Sequence, residues 1–107
     1  MLKIEIILDD EKIAREGYDI YDVINIIDKR FIGKCFTKTQ DPQKLIYSNP
    51  VHGDNEYAQI WNVILNLART NWFQECVKDW NCYSSIQGAD FFEVESLMDL
   101  FSKEYCN

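Results

Sequence analysis

A chain of 107 residues has the size of one domain, long enough to enclose one hydrophobic core. Its apolar fraction of 47% and aromatic fraction of 14% exclude a disordered chain, which needs low hydrophobicity. A net charge of −7 argues against general nucleic-acid binding, where phosphate contacts dominate affinity, and no apolar run approaches the roughly 18 residues of a membrane span.

The N-terminus reads MLKIEIILDDEK, with an apolar run too short and charges too close behind it for a secretory signal. A cytoplasmic protein without membrane contact is expected. Lys3 to Leu8 alternates, with Ile4, Ile6 and Leu8 on one face and Lys3 and Glu5 on the other, which predicts a half-buried strand. Asp9-Asp10-Glu11 stops it. The period then changes: Ile20, Val23, Ile24, Ile27 and Phe31 form one stripe of an amphipathic helix, started by Gly17 and Asp19 and ended by Gly33.

Lys34 to Lys38 and Lys44 to Ser48 are short β-rich runs joined by Gln40-Asp41-Pro42-Gln43, and predict an antiparallel hairpin. Asp54 or Asn55 would cap a second helix, with Tyr57, Ile60, Trp61, Ile64 and Ala68 on its apolar face. Trp72-Phe73 then lead into a strand from about Lys78 to Ser85. The last element is expected to open at Asp90, with Glu93 three residues on as in a capping box, and to carry Phe91, Val94, Met98 and Phe101 as a helical stripe.

Strand, helix, strand, strand, helix, strand is the order of a ferredoxin-like βαββαβ sandwich, here with an additional C-terminal helix. The expectation is an α+β protein with a single ferredoxin-like domain over residues 1–107. Such a sheet leaves one face open. The wealth of aromatic and aliphatic residues suggests that this face is covered, and so a homodimer.

Cys35, Cys76, Cys82 and Cys106 lack the close pairs of a zinc site, and a disulfide framework suits secreted chains without a core. They read as small buried hydrophobes. His52, the only histidine, reads as a loop residue. Charge is uneven: Lys29, Arg30, Lys34, Lys38 and Lys44 stand against Asp41 alone, whereas Glu75, Asp79, Asp90, Glu93, Glu95, Asp99 and Glu104 outweigh Lys78 and Lys103.

Trp72-Phe73, then Cys76-Val77-Lys78-Asp79, then Asp90-Phe91 follow one another at intervals similar to those of the virulence-associated protein D (VapD) family. Phe36, Gln40 and Tyr47 resemble a further stretch of that family. The resemblance implies a dimeric ferredoxin-like protein with endoribonuclease activity, the toxin of a toxin–antitoxin pair restrained by a protein antitoxin. The chain departs from the family pattern at Trp80-Asn81, where an arginine often follows the aspartate, and at Asp41-Pro42, where the family has Gly-Ser.

The resemblance extends to small CRISPR-associated nucleases of the same fold, in which an aspartate ending the first strand lies near the dimer axis. Asp9 or Asp10 holds that position and is the expected catalytic residue. Two symmetry-related carboxylates facing each other in the dimer, Asp9 foremost, would hold a hard cation such as Mg²⁺, which polarises a phosphate or supplies hydroxide. Without metal, one carboxylate would act as general base on a ribose 2′-hydroxyl. By alternation Asp10 continues the face of Ile4 and Ile6, while Asp9 turns to the open face, which favours Asp9.

RNA would contact Lys29, Arg30, Lys34, Lys38 and Lys44, with Tyr47 stacking on a base. Trp61, Trp72 and Trp80 read as core, and an Asp-Asp-Glu cluster after a strand is very often a solvated stop. The rival reading is a non-catalytic acidic interaction protein on the same fold, partner-binding or inhibitor-like. A small-ligand or regulatory domain is a third.

Overall fold

The computed structural model describes residues 1–34, 36–50, 53–85 and 93–105. In chain order they form β1 (Leu2–Leu8), α1 (Asp10–Arg15), α2 (Ile20–Ile32), β2 (Thr37–Thr39), β3 (Leu45–Asn49), α3 (Asp54–Ala68), α4 (Asn71–Cys76), β4 (Val77–Ser84), β5 (Glu93–Ser96) and α5 (Leu97–Tyr105). The strands make one antiparallel sheet in the order β2-β3-β1-β4-β5. With β3 antiparallel to both β1 and β2, the β1–α2–β2 unit is a split βαβ. The architecture is α+β and ferredoxin-like, with a C-terminal helix and a fifth strand beside β4.

Cross-strand partners share a face, so the register sorts the sheet. Ile4 lies opposite Tyr47 on one side and Cys82 on the other, and Ile6 opposite Leu45 and Trp80. All six are buried, together with Ile27 and Phe31 of α2 and Ile60, Ile64 and Leu67 of α3. Phe31 stacks on Tyr47 at 4.5 Å between centroids, Phe73 meets the edge of Trp80 at 4.8 Å, and Phe101 stacks on Trp80 at 5.7 Å. Each such side chain contributes about 1.5–3 kcal/mol by leaving water.

The helix boundaries have local causes. Asp19 accepts a hydrogen bond from the Tyr21 backbone N–H (2.8 Å) and so starts α2. α1 ends in a Schellman motif: Tyr18 N–H donates to Ile13 O and Gly17 N–H to Ala14 O, with Gly17 at φ +79°. No Cβ is tolerated cheaply in that left-handed conformation.

Several elements differ from the sequence expectation. α1 is an extra short helix where a simple stop was expected, because Asp9 caps it and Ile13 anchors it in the core. Trp72-Phe73 belong to the short helix α4 instead of an extended lead into the strand, while β4 begins at Val77, close to the expected Lys78. The cap of α3 is Gly53, with Asp54 already helical. The capping pair expected at Asp90 lies outside the described residues, but Glu93–Ser96 are strand and not helix. Val94 pairs with Tyr83 and is 57% exposed, and Ser96 Oγ, 3.4 Å from the Asp99 N–H, marks the true start of the last helix.

The second sheet face carries Lys3, Glu5 and Ile7 of β1, Ile46 and Ser48 of β3, and Asp79, Asn81 and Tyr83 of β4. Glu5 binds Lys3 at 3.5 Å and Lys44 at 3.1 Å, and Lys3 Nζ sits 4.6 Å from the Tyr83 ring centre. The face is therefore mixed, with Ile7, Ile46 and Val94 among charged and hydroxyl-bearing side chains. α5 packs on the other side, through Leu97 and Phe101.

Candidate functional site

The site begins where β1 runs out. Asp9 is half-buried, and its carboxylate accepts the Lys12 backbone N–H at 3.1 Å while its own N–H donates to Cys76 O at 2.8 Å. That makes Asp9 the N-cap of α1 and the strap between α1 and the α4–β4 junction. Asp10, the next residue, is exposed and makes no hydrogen bond or ion pair among the described residues.

Asp10 lines a cleft of about 290 Å³ between the end of β1, the start of α2 and the β2–β3 turn. Its floor is apolar, from Ile6, Leu8, Ile20, Ile24 and Leu45, and its rim holds Asp41, Pro42, Gln43 and Lys44. The turn folds this way because Asp41 Oδ1 accepts both the Gln43 and Lys44 backbone N–H groups, at 2.8 and 3.2 Å. Asp10 and Asp41, 31 positions apart in sequence, thereby share one cleft with Lys44. Hydrogen bonding to Glu5 and the charge of Glu5 raise the Lys44 ammonium above its ordinary value.

The predicted RNA contacts separate into three groups. Lys29, Arg30 and Lys34 are exposed at the C-terminal end of α2, and none has an ion pair among the described residues. Lys38 binds Asp28 at 3.1 Å and Lys44 binds Glu5 at 3.1 Å, so both are compensated. Tyr47 is fully buried, stacked on Phe31, with its hydroxyl donating to Asp28 Oδ1 at 2.5 Å; no face of its ring reaches a base. Burial and the Asp28 hydrogen bond push its phenol up.

Asp41 is the residue that sequence reading missed. The signal present was Asp-Pro at a turn, which reports local geometry and not the cleft it helps to build. Among the described residues no group of three Asp, Glu, His or Cys side chains converges on a metal position. Two carboxylates suit Mg²⁺, which keeps several waters and takes one or two protein carboxylates beside substrate phosphates. Asp10 and Asp41 are the residues that would hold it.

Cys76 and Cys82 are buried free thiols. Burial pushes Cys82 up to about 11, so it stays protonated at neutral pH. Cys35, Cys106 and His52 lie outside the described residues. Trp80 is core, whereas Trp61 and Trp72 are half-buried. No helix among the described residues is long and apolar enough to cross a membrane.

Neither a protein-family model nor a curated protein matches the chain.

Proposed function

We propose that the protein is an endoribonuclease similar to the VapD family, acting as a cytoplasmic homodimer and serving as a toxin held in check by a protein antitoxin. The observation that carries this reading is the cleft at the end of β1, in which Asp10 carries an uncommitted carboxylate beside Asp41 and Lys44. Asp10 takes the proton of a ribose 2′-hydroxyl as that oxygen attacks the adjacent phosphorus. The bond to the 5′-oxygen breaks, water returns a proton to it, and a cyclic phosphate and a 5′-hydroxyl result.

Asp9 acts through position: as the cap of α1 it fixes where Asp10 leaves the strand. Lys29, Arg30 and Lys34 meet the phosphates further along the strand, about 15 Å down α2 at 1.5 Å per residue. Bound Mg²⁺ at Asp10 and Asp41 would supply phosphate polarisation.

The rival, a non-catalytic acidic interaction protein, is favoured by the burial of Tyr47 and the pairing of Lys38 and Lys44, which reduce the basic patch. Structured and unstructured RNA, incubated with and without Mg²⁺, separate the two readings. Wild type should cleave, and Asp10→Asn should lower the rate by about 100-fold or more. Asp9→Asn retains a good capping residue and should keep most activity.

A further inference from the structure

Between the Asp10 cleft and the basic end of α2 runs one exposed ridge of that helix. Tyr21, Asn25 and Lys29 are all exposed and stand four residues apart. Each therefore follows the last by about 6 Å along the axis and about 40° around it. Ring, amide and ammonium succeed one another on the solvent side of α2, starting in its first turn. Tyr21, at 76% exposure, is the most exposed large hydrophobic side chain among the described residues.

Its neighbours fix where the ring stands. Ile20, one residue before, and Ile24, three residues on, both line the cleft floor. Residues three apart on a helix are surface neighbours, so Tyr21 adjoins that floor. Asp28, two turns further on and about 20° from Tyr21 around the axis, bonds Lys38 and Tyr47 of the β2–β3 hairpin. Tyr21 thus stands on the hairpin flank of α2, at the end where Asp41 and Pro42 form the cleft rim.

A ring beside an apolar floor suits an unpaired base. Stacking accepts any base and needs no compensating positive charge. That matters at this end of α2, because Asp10, Asp19, Asp22 and Asp41 disfavour phosphate there. Asp19 is held as the helix cap, and Asp22 lies about 100° around the helix from Tyr21. One turn on, Asn25 offers both a donor and an acceptor to a base edge. Lys29 follows at the end where Arg30 and Lys34 are also exposed.

We propose that the Tyr21–Asn25–Lys29 ridge is the track along which the RNA strand leaves the Asp10 cleft, with a base stacked on Tyr21, a base edge bonded to Asn25 and a phosphate at Lys29. Tyr21 takes the stacking role that Tyr47, buried against Phe31, does not serve. The proposal rests on the nuclease reading, which supplies RNA as the ligand.

Fluorescence anisotropy with a labelled, unstructured RNA carrying 2′-O-methyl groups, which block attack by the 2′-oxygen, measures binding apart from cleavage. Tyr21→Ala should weaken binding by about tenfold, and Tyr21→Phe, which keeps a stacking ring, by less than about twofold. Lys29→Ala should make the dependence of log affinity on log salt shallower by about 0.7, a slope that Tyr21→Ala leaves unchanged. Ile26→Ala, exposed on the same helix but off the ridge, should bind as wild type, and circular dichroism confirms that each variant folds. On unmethylated RNA, Tyr21→Ala should raise KM with little change in kcat.

Wild-type binding and cleavage by Tyr21→Ala would overturn the track and leave the nuclease reading intact. Binding that Tyr21→Ala weakens and Tyr21→Phe restores, without cleavage of unmethylated RNA, would support the track and sink the nuclease reading. Equal loss in Tyr21→Phe and Tyr21→Ala, or a matching loss in Ile26→Ala, would assign the effect to the helix instead of the ring and overturn the track. No binding by wild type would overturn both.

Discussion

The two faces of the sheet obey the same alternation and reach opposite solutions. On the covered face, Leu2, Ile4, Ile6, Tyr47 and Trp80 are all buried under helices. On the open face, the intervening residues Lys3 and Glu5, with Lys44 and Tyr83, form a ladder of paired charges and one ring. Six aromatic rings, Phe31, Phe36, Tyr47, Phe73, Trp80 and Phe101, are buried in this one core, and the homodimer stands as a proposal that light scattering can test. The comparison bears on the proposed chemistry: the lysines of the open face are paired with Glu5, while at the end of β1 the Asp10 carboxylate has no hydrogen bond or ion pair among the described residues.

Substitutions on the two faces should differ accordingly. Phe31→Ala removes a fully buried ring that stacks on Tyr47 and touches Phe36 edge-on, and should cost about 3–5 kcal/mol by chemical denaturation. A cost under about 1 kcal/mol would mean that the α2 side of the core is loosely packed. Asp28→Ala should come next. It strands the buried Tyr47 hydroxyl and releases Lys38, and should cost about 1–3 kcal/mol, with Tyr47→Phe recovering part of the loss in the double variant.

Glu5→Gln, at the centre of the open face, should have the smallest effect, at most about 1 kcal/mol, and less in high salt. A larger cost that salt does not diminish would show that the open face is packed as a core, and would restore the argument for a covering subunit.

Much of this frame was legible in the residues. The spacing of Ile20, Val23, Ile27 and Phe31 located α2, and Asp19 and Gly33 bounded it, because local chemistry sets helix ends. Ile4 and Ile6 were rightly placed toward the helices. Tyr47 could have been placed in the core as well, since it alternates with Leu45, but its value as a base-stacking ring obscured its position in the strand.

The last strand was hidden for a different reason. Phe91, Val94, Met98 and Phe101 are spaced as on a helix, and only the antiparallel pairing with Asn81–Ser84 of β4 makes Glu93–Ser96 a strand. α1 and α4, six residues each, depend on tertiary contacts from Ile13, Phe73 and Cys76 rather than on propensity. The cleft at the end of β1 was out of reach for the same reason: Asp10 and Asp41 come to line one cleft only through the sheet order.

The most direct measurement is the rate at which purified wild type and Asp10→Asn cleave a labelled RNA, with and without Mg²⁺, alongside Asp9→Asn as the capping control. The account predicts cleavage by wild type, a loss of about 100-fold or more in Asp10→Asn, and near-wild-type activity in Asp9→Asn. No cleavage by wild type, or equal cleavage by wild type and Asp10→Asn, would contradict it.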